Sequence, residues 1–482
     1  MTAATSSTSF LRSGGLFTLR GFAQVLGPFV VASVALLTLG TADLASFVLV
    51  SAIFSVGPLS SPAVSSVVYR FRGSGDAADA TSTTIILAIT VALGLAGGAL
   101  AGTFVEGVVL VPLCAANCFL VSLGSALSAE LGRVGRNAVV ARLSATQAIG
   151  AVVLGTAALG LTRSVAGYVT AVGVSQAWLT FRLFRAIRTG QRPSFQLGWD
   201  RVQRALMLRH ISVVLAWIPL VFLTSGADVF FVKVFDQTRV SGYGIAVRLV
   251  AIGAIPLTVA ASLLPPSLLD LRSLVERRAH FARTTQVTGT VTSLAVALVI
   301  FVGAFAMPFL PLDRGEIPSR GVLACIGLAV ALRGTWTPAN LMMLQHGNHV
   351  RSLLPGSTET VCSIAVTVVA GRVWGAEGVA FGTLAGAVAS FVFYTVVCAR
   401  NSALGIVHIF DVLKILRPNL FVLASLAIAV SVPSMPSRLG GLALCIAGTY
   451  MVARKHFIER SAVVPMARVA ARSKLNEQTA PR

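Results

Sequence analysis

Six ionisable side chains interrupt otherwise apolar stretches of the 482-residue chain: Arg20, Asp228, Lys233, Arg248, Arg333 and Glu359. An ionised group at the middle of a bilayer costs about 2.5–3.5 kcal/mol on insertion scales, so each asks for a partner or a task. Asp228 and Arg248 are similarly distant from a turn near residue 237, which places them at one depth on successive antiparallel helices. Two readings follow: a salt bridge between them, or a carboxylate that takes a proton or a cation. Glu359 lies between Thr358 and Thr360, oxygen donors of the type Na⁺ accepts. Its plainer reading is a pair with Arg333, about one helical turn away in depth. Arg20 has no embedded acid in its half of the chain. It either snorkels to the headgroups from the inner end of its helix or offers a planar guanidinium to anionic phosphate oxygens. Lys233 lies near a surface and reads as an interfacial anchor.

Other chemistries are not encoded. The sequence has no Gly-x-x-x-x-Gly-Lys-Ser/Thr phosphate loop and no His-Glu-x-x-His zinc motif. Cys114 and Cys118 are one helical turn apart, but no further Cys or His accompanies them, so the six cysteines read as small buried hydrophobes. His346 and His349 flank Gly-Asn at a helix end and make a poor metal site. The net charge of +21 brings no nucleic-acid-binding motif with it. An enzyme acting on lipid-linked sugars needs a sizeable external loop, whereas the longest connection on that side spans only about residues 308–318. No catalytic residue and no cofactor are expected, apart from a coupling Na⁺ or H⁺.

The elements that position these charges are membrane helices. Apolar residues make up 55% of the chain and charged ones 11%, with a mean hydropathy of +0.84. A soluble domain carries about 25% charged residues. Continuous apolar runs, rather than alternating ones, recur at the length that crosses about 30 Å of hydrocarbon. The fold class is therefore an all-α polytopic membrane protein. Helices are predicted at about 16–38, 44–68, 82–104, 107–128, 139–160, 165–185, 210–233, 241–268, 285–307, 319–343, 353–374, 377–399, 417–433 and 438–453.

Loop charge tests that succession independently, because Lys and Arg concentrate in cytoplasmic connections. With Arg12 inside, every second connection is basic, from Arg70 and Arg72 through Arg133, Arg136 and Arg142 to Lys414 and Arg417. The opposite set holds only Arg163, Arg239, Arg314, Arg320, Arg372 and Arg438. A miscounted helix would invert the alternation, and it never inverts. Both termini are then cytoplasmic, and the polar start Thr2–Ser9 lacks a signal-peptide pattern.

The most basic connection follows the sixth helix. The chain then divides into an N-terminal six-helix lobe (1–185), a cytoplasmic linker (186–209), a second six-helix lobe (210–399), two additional helices (400–453) and a basic tail (454–482). Trp199, Val202, Leu206 and Met207 fall near helical spacing, which reads either as a surface helix or as an ordinary basic loop. Gly27-Pro28, Gly57-Pro58 and Pro256 are expected to kink helices one, two and eight.

Three stretches carry a family likeness: Gly226-Ala227-Asp228-Val229-Phe230-Phe231, then Val240-Ser241-Gly242-Tyr243-Gly244-Ile245-Ala246-Val247-Arg248-Leu249, then Leu263-Leu264-Pro265. With the size, the span count and the break after helix six, the chain resembles the lipid-linked oligosaccharide (polysaccharide) flippases of the superfamily that also holds the MATE exporters and lipid II flippases. The resemblance implies two six-helix bundles in a V around a partly cationic cavity. It implies flipping of a polyprenyl-pyrophosphate-linked glycan across the cytoplasmic membrane, driven by an ion gradient, alongside polysaccharide-synthesis enzymes. Arg20 matches the family's helix-one arginine and Asp228 its helix-seven acid. Arg20, Arg248 and Arg333 are then the substrate-binding residues, and Asp228 and Glu359 the coupling-ion residues. Two rival readings stand beside this one: a MATE-like multidrug exporter of organic cations, which would want acids well inside the first lobe, and a non-transporting membrane subunit of an envelope-synthesis complex.

Overall fold

A computed structural model of the protein describes residues 27–189, 197–257, 274–306, 317–345, 349–399, 409–431 and 434–456. Among these residues there are only helices, turns and connections, with no strand. The first lobe comprises α1 (Gly27–Thr38), α2 (Thr41–Ile53), α3 (Ser61–Phe71), α4 (Asp76–Phe104), α5 (Leu110–Arg133), α6 (Asn137–Thr162) and α7 (Val165–Arg188). The second comprises α8 (Arg201–Ser225), α9 (Asp228–Phe235), α10 (Val240–Gly253), α11 (Leu274–Ala306), α12 (Arg320–Gln345), α13 (His349–Trp374) and α14 (Ala376–Ala399). Two more follow, α15 (Ile409–Ser431) and α16 (435–456).

Nine helices among the described residues are long and apolar enough to cross a membrane. The other expected spans correspond to α1, α7, α8 with α9, α10 and α16; α7 and α16 carry arginines, and the α8–α9 and α10 spans are broken. The breaks have local causes. At Gly57-Pro58 the second span stops being α-helical and passes through a short 3₁₀ turn, Gly57–Ser60, before α3. Proline supplies no N–H and its ring clashes with the preceding turn. A Cβ on Gly57 would lie 2.9 Å from Val121 Cβ and 3.2 Å from the Cys118 carbonyl oxygen of α5, so the bend also lets two helices touch. The seventh span breaks at Gly226-Ala227, between α8 and α9. The eighth interrupts at Ala254, just before Ile255-Pro256.

The linker differs from either sequence reading. Residues 201–209 are not a separate surface helix; they are the first turns of α8, which runs unbroken to Ser225. Asp200 caps it by accepting from the Gln203 N–H at 2.8 Å. The segment ahead of it is fastened to α4: Thr84 Oγ1 donates to the Gly198 carbonyl at 2.9 Å and the Asp200 N–H donates to Thr81 Oγ1 at 3.2 Å.

Small residues set the closest packing. In α14, Gly378, Gly382 and Gly386 recur every four residues and face α13. Cβ atoms there would lie 2.0 Å from the Ala370 carbonyl oxygen, 2.8 Å from the Thr367 nitrogen and 2.6 Å from the Glu359 carbonyl oxygen. Such a stripe lets backbones approach in lipid, where apolar burial gives no drive to associate. Gly382→Val is therefore expected to push α14 off α13 and to destabilise by about 1–3 kcal/mol, the usual cost of overpacking. A thermal melt of the detergent-solubilised protein unchanged from wild type would sink that account.

The lobes meet through α2 against α9 and α10, and through α3 and α4 against α8. At the first of these contacts Gly244 lies so close to Val48 that a Cβ would sit 2.2 Å from its Cγ1. The last two helices are held by buried polar groups as well as apolar ones. Asn419 Nδ2 donates to the Thr285 carbonyl at 2.9 Å, and Gln286 Nε2 donates to the Ile415 carbonyl at 2.9 Å. His456 Nε2 lies 3.0 Å from Gln286 Oε1, which joins α16 to the same network.

Candidate functional site: a buried charge network in the second lobe

Asp228 opens α9 directly after the Gly226-Ala227 break, and the break turns its carboxylate toward α10 and α14. Oδ2 accepts from Thr383 Oγ1 at 2.7 Å and from the Tyr243 hydroxyl at 3.4 Å. Thr383 follows Gly382 in the glycine stripe, and both it and Tyr243 are buried. In the same lobe, Arg333 Nε of α12 donates to Glu359 Oε1 of α13 at 2.7 Å. Glu359 is only 2% exposed. The Arg333 guanidinium also acts electrostatically on Asp228 and Tyr243, so the two acids and the base form one cluster.

This cluster holds two carboxylates and one guanidinium, a formal surplus of one negative charge when all three are ionised. A buried surplus charge is unstable unless something neutralises it. The cluster is thus suited to taking up a single proton or monovalent cation. The glycine stripe makes it possible, because it brings Thr383 of α14 to Asp228 and holds the Glu359 backbone against Gly386.

The other embedded residues fall elsewhere. Arg248 does not reach Asp228. Its guanidinium carbon lies 4.5 Å from the centre of the Phe47 ring in the first lobe, and Phe47 packs edge-on against Tyr168 with ring centres 5.0 Å apart. Equal depth is not enough for pairing. Five residues separate Tyr243 from Arg248, which rotates them about 140° apart around α10. Tyr243 therefore faces Asp228, and Arg248 faces α2. The Glu359–Arg333 pair, by contrast, forms as its spacing suggested. Lys233 is half-buried in the last turn of α9, where a cation favours the helix dipole. Arg20 lies outside the described residues.

One acid that looked peripheral is not. Glu130, at the end of α5, is buried and accepts from Arg133 Nη2 at 2.8 Å, with Arg72 Nη1 at 3.5 Å from its other oxygen. Its sequence signal was Arg133 three residues on, combined with the basic turn at Arg70 and Arg72. Tyr243 and Thr383 carried weaker signals, since neither is ionised and Thr383 sits in a run of small residues.

These helices and their buried charge define a class: a multi-pass helical membrane protein of two packed lobes with two appended helices. Among solved structures the chain is similar to the lipid II flippase MurJ in an inward closed conformation, at 15% identity and a TM-score of 0.64, over 94% of this chain and 98% of that one. It is also similar to a MOP superfamily transporter from Pyrococcus furiosus, at 17% identity and a TM-score of 0.58, over 82% and 96%. A third is an inward-facing multidrug resistance MATE family transporter of the same superfamily, at 19% identity and a TM-score of 0.56, over 81% and 95%. At these identities the likeness is one of fold, and the resemblance read from the sequence is borne out at that level. No family model matches the sequence, and no curated protein matches it either.

Proposed function

We propose that the protein is a secondary transporter that flips a polyprenyl-pyrophosphate-linked oligosaccharide across the cytoplasmic membrane by ion-coupled alternating access. The observation that carries this reading is the distribution of acids. Among the described residues of the first lobe, Asp43, Asp76 and Asp79 lie in the first turns of their helices, Glu106 lies in a connection, and Glu130 is held by Arg72 and Arg133. None of them is placed to neutralise an organic cation inside the lobe, which disfavours cation export and leaves an anionic lipid-linked cargo. Coupling falls to the second lobe, where Asp228, Glu359 and Arg333 take up one positive charge and release it. Arg20 and Arg248 serve the pyrophosphate, Arg20 from the cytoplasmic side and Arg248 at the contact between lobes.

Mass spectrometry of the lipid-linked oligosaccharide pool, in cells lacking this protein and any redundant flippase, tests the reading. A polyprenyl-pyrophosphate glycan should accumulate, and the wild-type chain but not Arg20→Ala should clear it. An unchanged pool overturns the proposal and directs attention to efflux of cationic dyes.

A further inference from the structure

A groove of about 450 Å³ in the first lobe is walled by α3, α4, α5 and α7. It shares no lining residue with the cavity of about 510 Å³ on the opposite face of α5. Leu120 and Glu130 of α5 both line the groove, so it extends about 15 Å along that helix. That is half of a hydrocarbon core roughly 30 Å thick, the depth of one leaflet. Its apolar lining includes Ile86, Leu87, Leu123, Leu127 and Phe181. The rim is open: Phe181 is 61% exposed, and Leu87 and Ala177 are exposed as well.

Polar groups collect at one end. Arg72, Thr83 and Glu130 line the groove there; Arg72 Nη2 donates to Thr83 Oγ1, and Arg72 Nη1 lies 3.5 Å from Glu130 Oε2. Arg133 Nη2 donates to the other Glu130 oxygen at 2.8 Å. Along α7 the apolar wall passes into charge. Phe181, Phe184, Arg185 and Arg188 follow the i, i+3, i+4, i+7 spacing of one helix face, and all four are exposed. Guanidinium groups thus follow the aromatic rings of the groove by one turn. Among the described residues, neither Arg185 nor Arg188 forms a salt bridge. The acids at these ends of the four helices are Asp76, Asp79 and Glu130. Arg70, Arg72, Arg133, Arg182, Arg185 and Arg188 outnumber them.

Loop charge assigns this side to the cytoplasm. An acyl chain lying in the groove would place its headgroup among the arginines. A zwitterionic headgroup brings them no net charge, whereas an anionic one does, and guanidinium suits phosphate oxygens. We infer that the groove binds one anionic phospholipid of the cytoplasmic leaflet, its acyl chain along Leu123, Leu127 and Phe181 and its phosphate at Arg185 and Arg188. The inference does not depend on what the protein transports.

Native mass spectrometry of the full chain, with equimolar phosphatidylglycerol and phosphatidylcholine of identical acyl chains, tests it. Wild type should retain one phosphatidylglycerol over phosphatidylcholine by about fivefold or more, the preference that one arginine near an anionic group supplies. Ala177→Trp, on the exposed wall of α7, fills the groove without entering the core and should abolish that adduct. Arg185→Gln with Arg188→Gln changes only exposed side chains; it should keep an adduct but bring the two lipids to parity. Arg454→Gln with Lys455→Gln, which removes as much charge from α16, should leave the preference intact.

Equal retention of the two lipids by wild type overturns the site. So does a preference that survives either Ala177→Trp or the double arginine substitution. Loss of the preference in the α16 variant overturns it as well, because the response would then be to overall charge. Undecaprenyl phosphate that displaces the bound phosphatidylglycerol at equal concentration would give the groove to a polyprenyl carrier, and the phospholipid assignment would fall.

Discussion

Glu359→Ala is expected to destabilise the protein by about 3–5 kcal/mol, the usual result of removing one partner from a buried ion pair. The Arg333–Glu359 bond of 2.7 Å sits inside the second lobe, with the Glu359 side chain 3% exposed and that of Arg333 20% exposed. Without the carboxylate, Arg333 loses its 2.7 Å acceptor and its strongest attractive partner. The readout is the melting temperature of detergent-solubilised protein followed by size-exclusion chromatography. Replacing both partners, as in Arg333→Met with Glu359→Gln, should recover much of the loss, because the desolvation cost of the charges disappears with them. A Glu359→Ala protein within about 1 kcal/mol of wild type would show the pair to be energetically idle.

Asp228→Asn should separate stability from coupling. The amide is isosteric, and its oxygen still accepts from Thr383 Oγ1, now 2.7 Å from the carboxylate. What disappears is the surplus negative charge. With Glu359 and Arg333 remaining, the cluster is neutral and has no charge left to exchange. In proteoliposomes, stimulation of flipping by a proton or sodium gradient should fall by about 5–150-fold, the span of typical coupling energies. The melting temperature should change little. Gradient stimulation that persists in the variant would remove Asp228 from the coupling mechanism and leave the ion site to be sought elsewhere.

These two variants depend on features of different legibility. That Asp228, Arg333 and Glu359 are charges embedded in apolar helices could be read directly from the chain, because the cost of charge in hydrocarbon depends on local context alone. The pairing of Glu359 with Arg333 was one of two open readings, and shared depth on neighbouring helices was enough to bring it about. The same argument from depth failed for Asp228 and Arg248. Depth follows from counting residues, whereas the direction of a side chain follows from helix rotation, and rotation is set by packing. Thr383, which supplies the shortest bond to Asp228, lies 155 residues away in sequence. It is placed there by Gly378, Gly382 and Gly386 pressing α14 onto α13.

The sequence also left Glu130 among the helix-end acids, where solvation is the default. In the fold it is buried between Arg72 and Arg133, and nothing in its own neighbourhood beyond Arg133 announced that. The cavity of the first lobe, lined among others by Asn117, Ser144 and Gln147, was less visible still. Serine, asparagine and glutamine in membrane helices satisfy themselves on their own backbone often enough that spacing does not reveal which face a cavity. Asn117 is an example, since one of its two hydrogen bonds is to the turn below it.

By itself, then, the chain determined a bundle of membrane helices, their succession, their breaks at Gly57-Pro58 and before Pro256, and the short roster of charges inside them. Each of these follows from transfer free energy or backbone covalency, which act over one helix at a time. The tertiary structure decided which charges form a cluster, which arginine faces the other lobe, and where a cavity remains open. Those outcomes depend on how closely and at what rotation helices distant in sequence can approach, and in this protein the approach is governed by glycines whose packing partners lie on other helices.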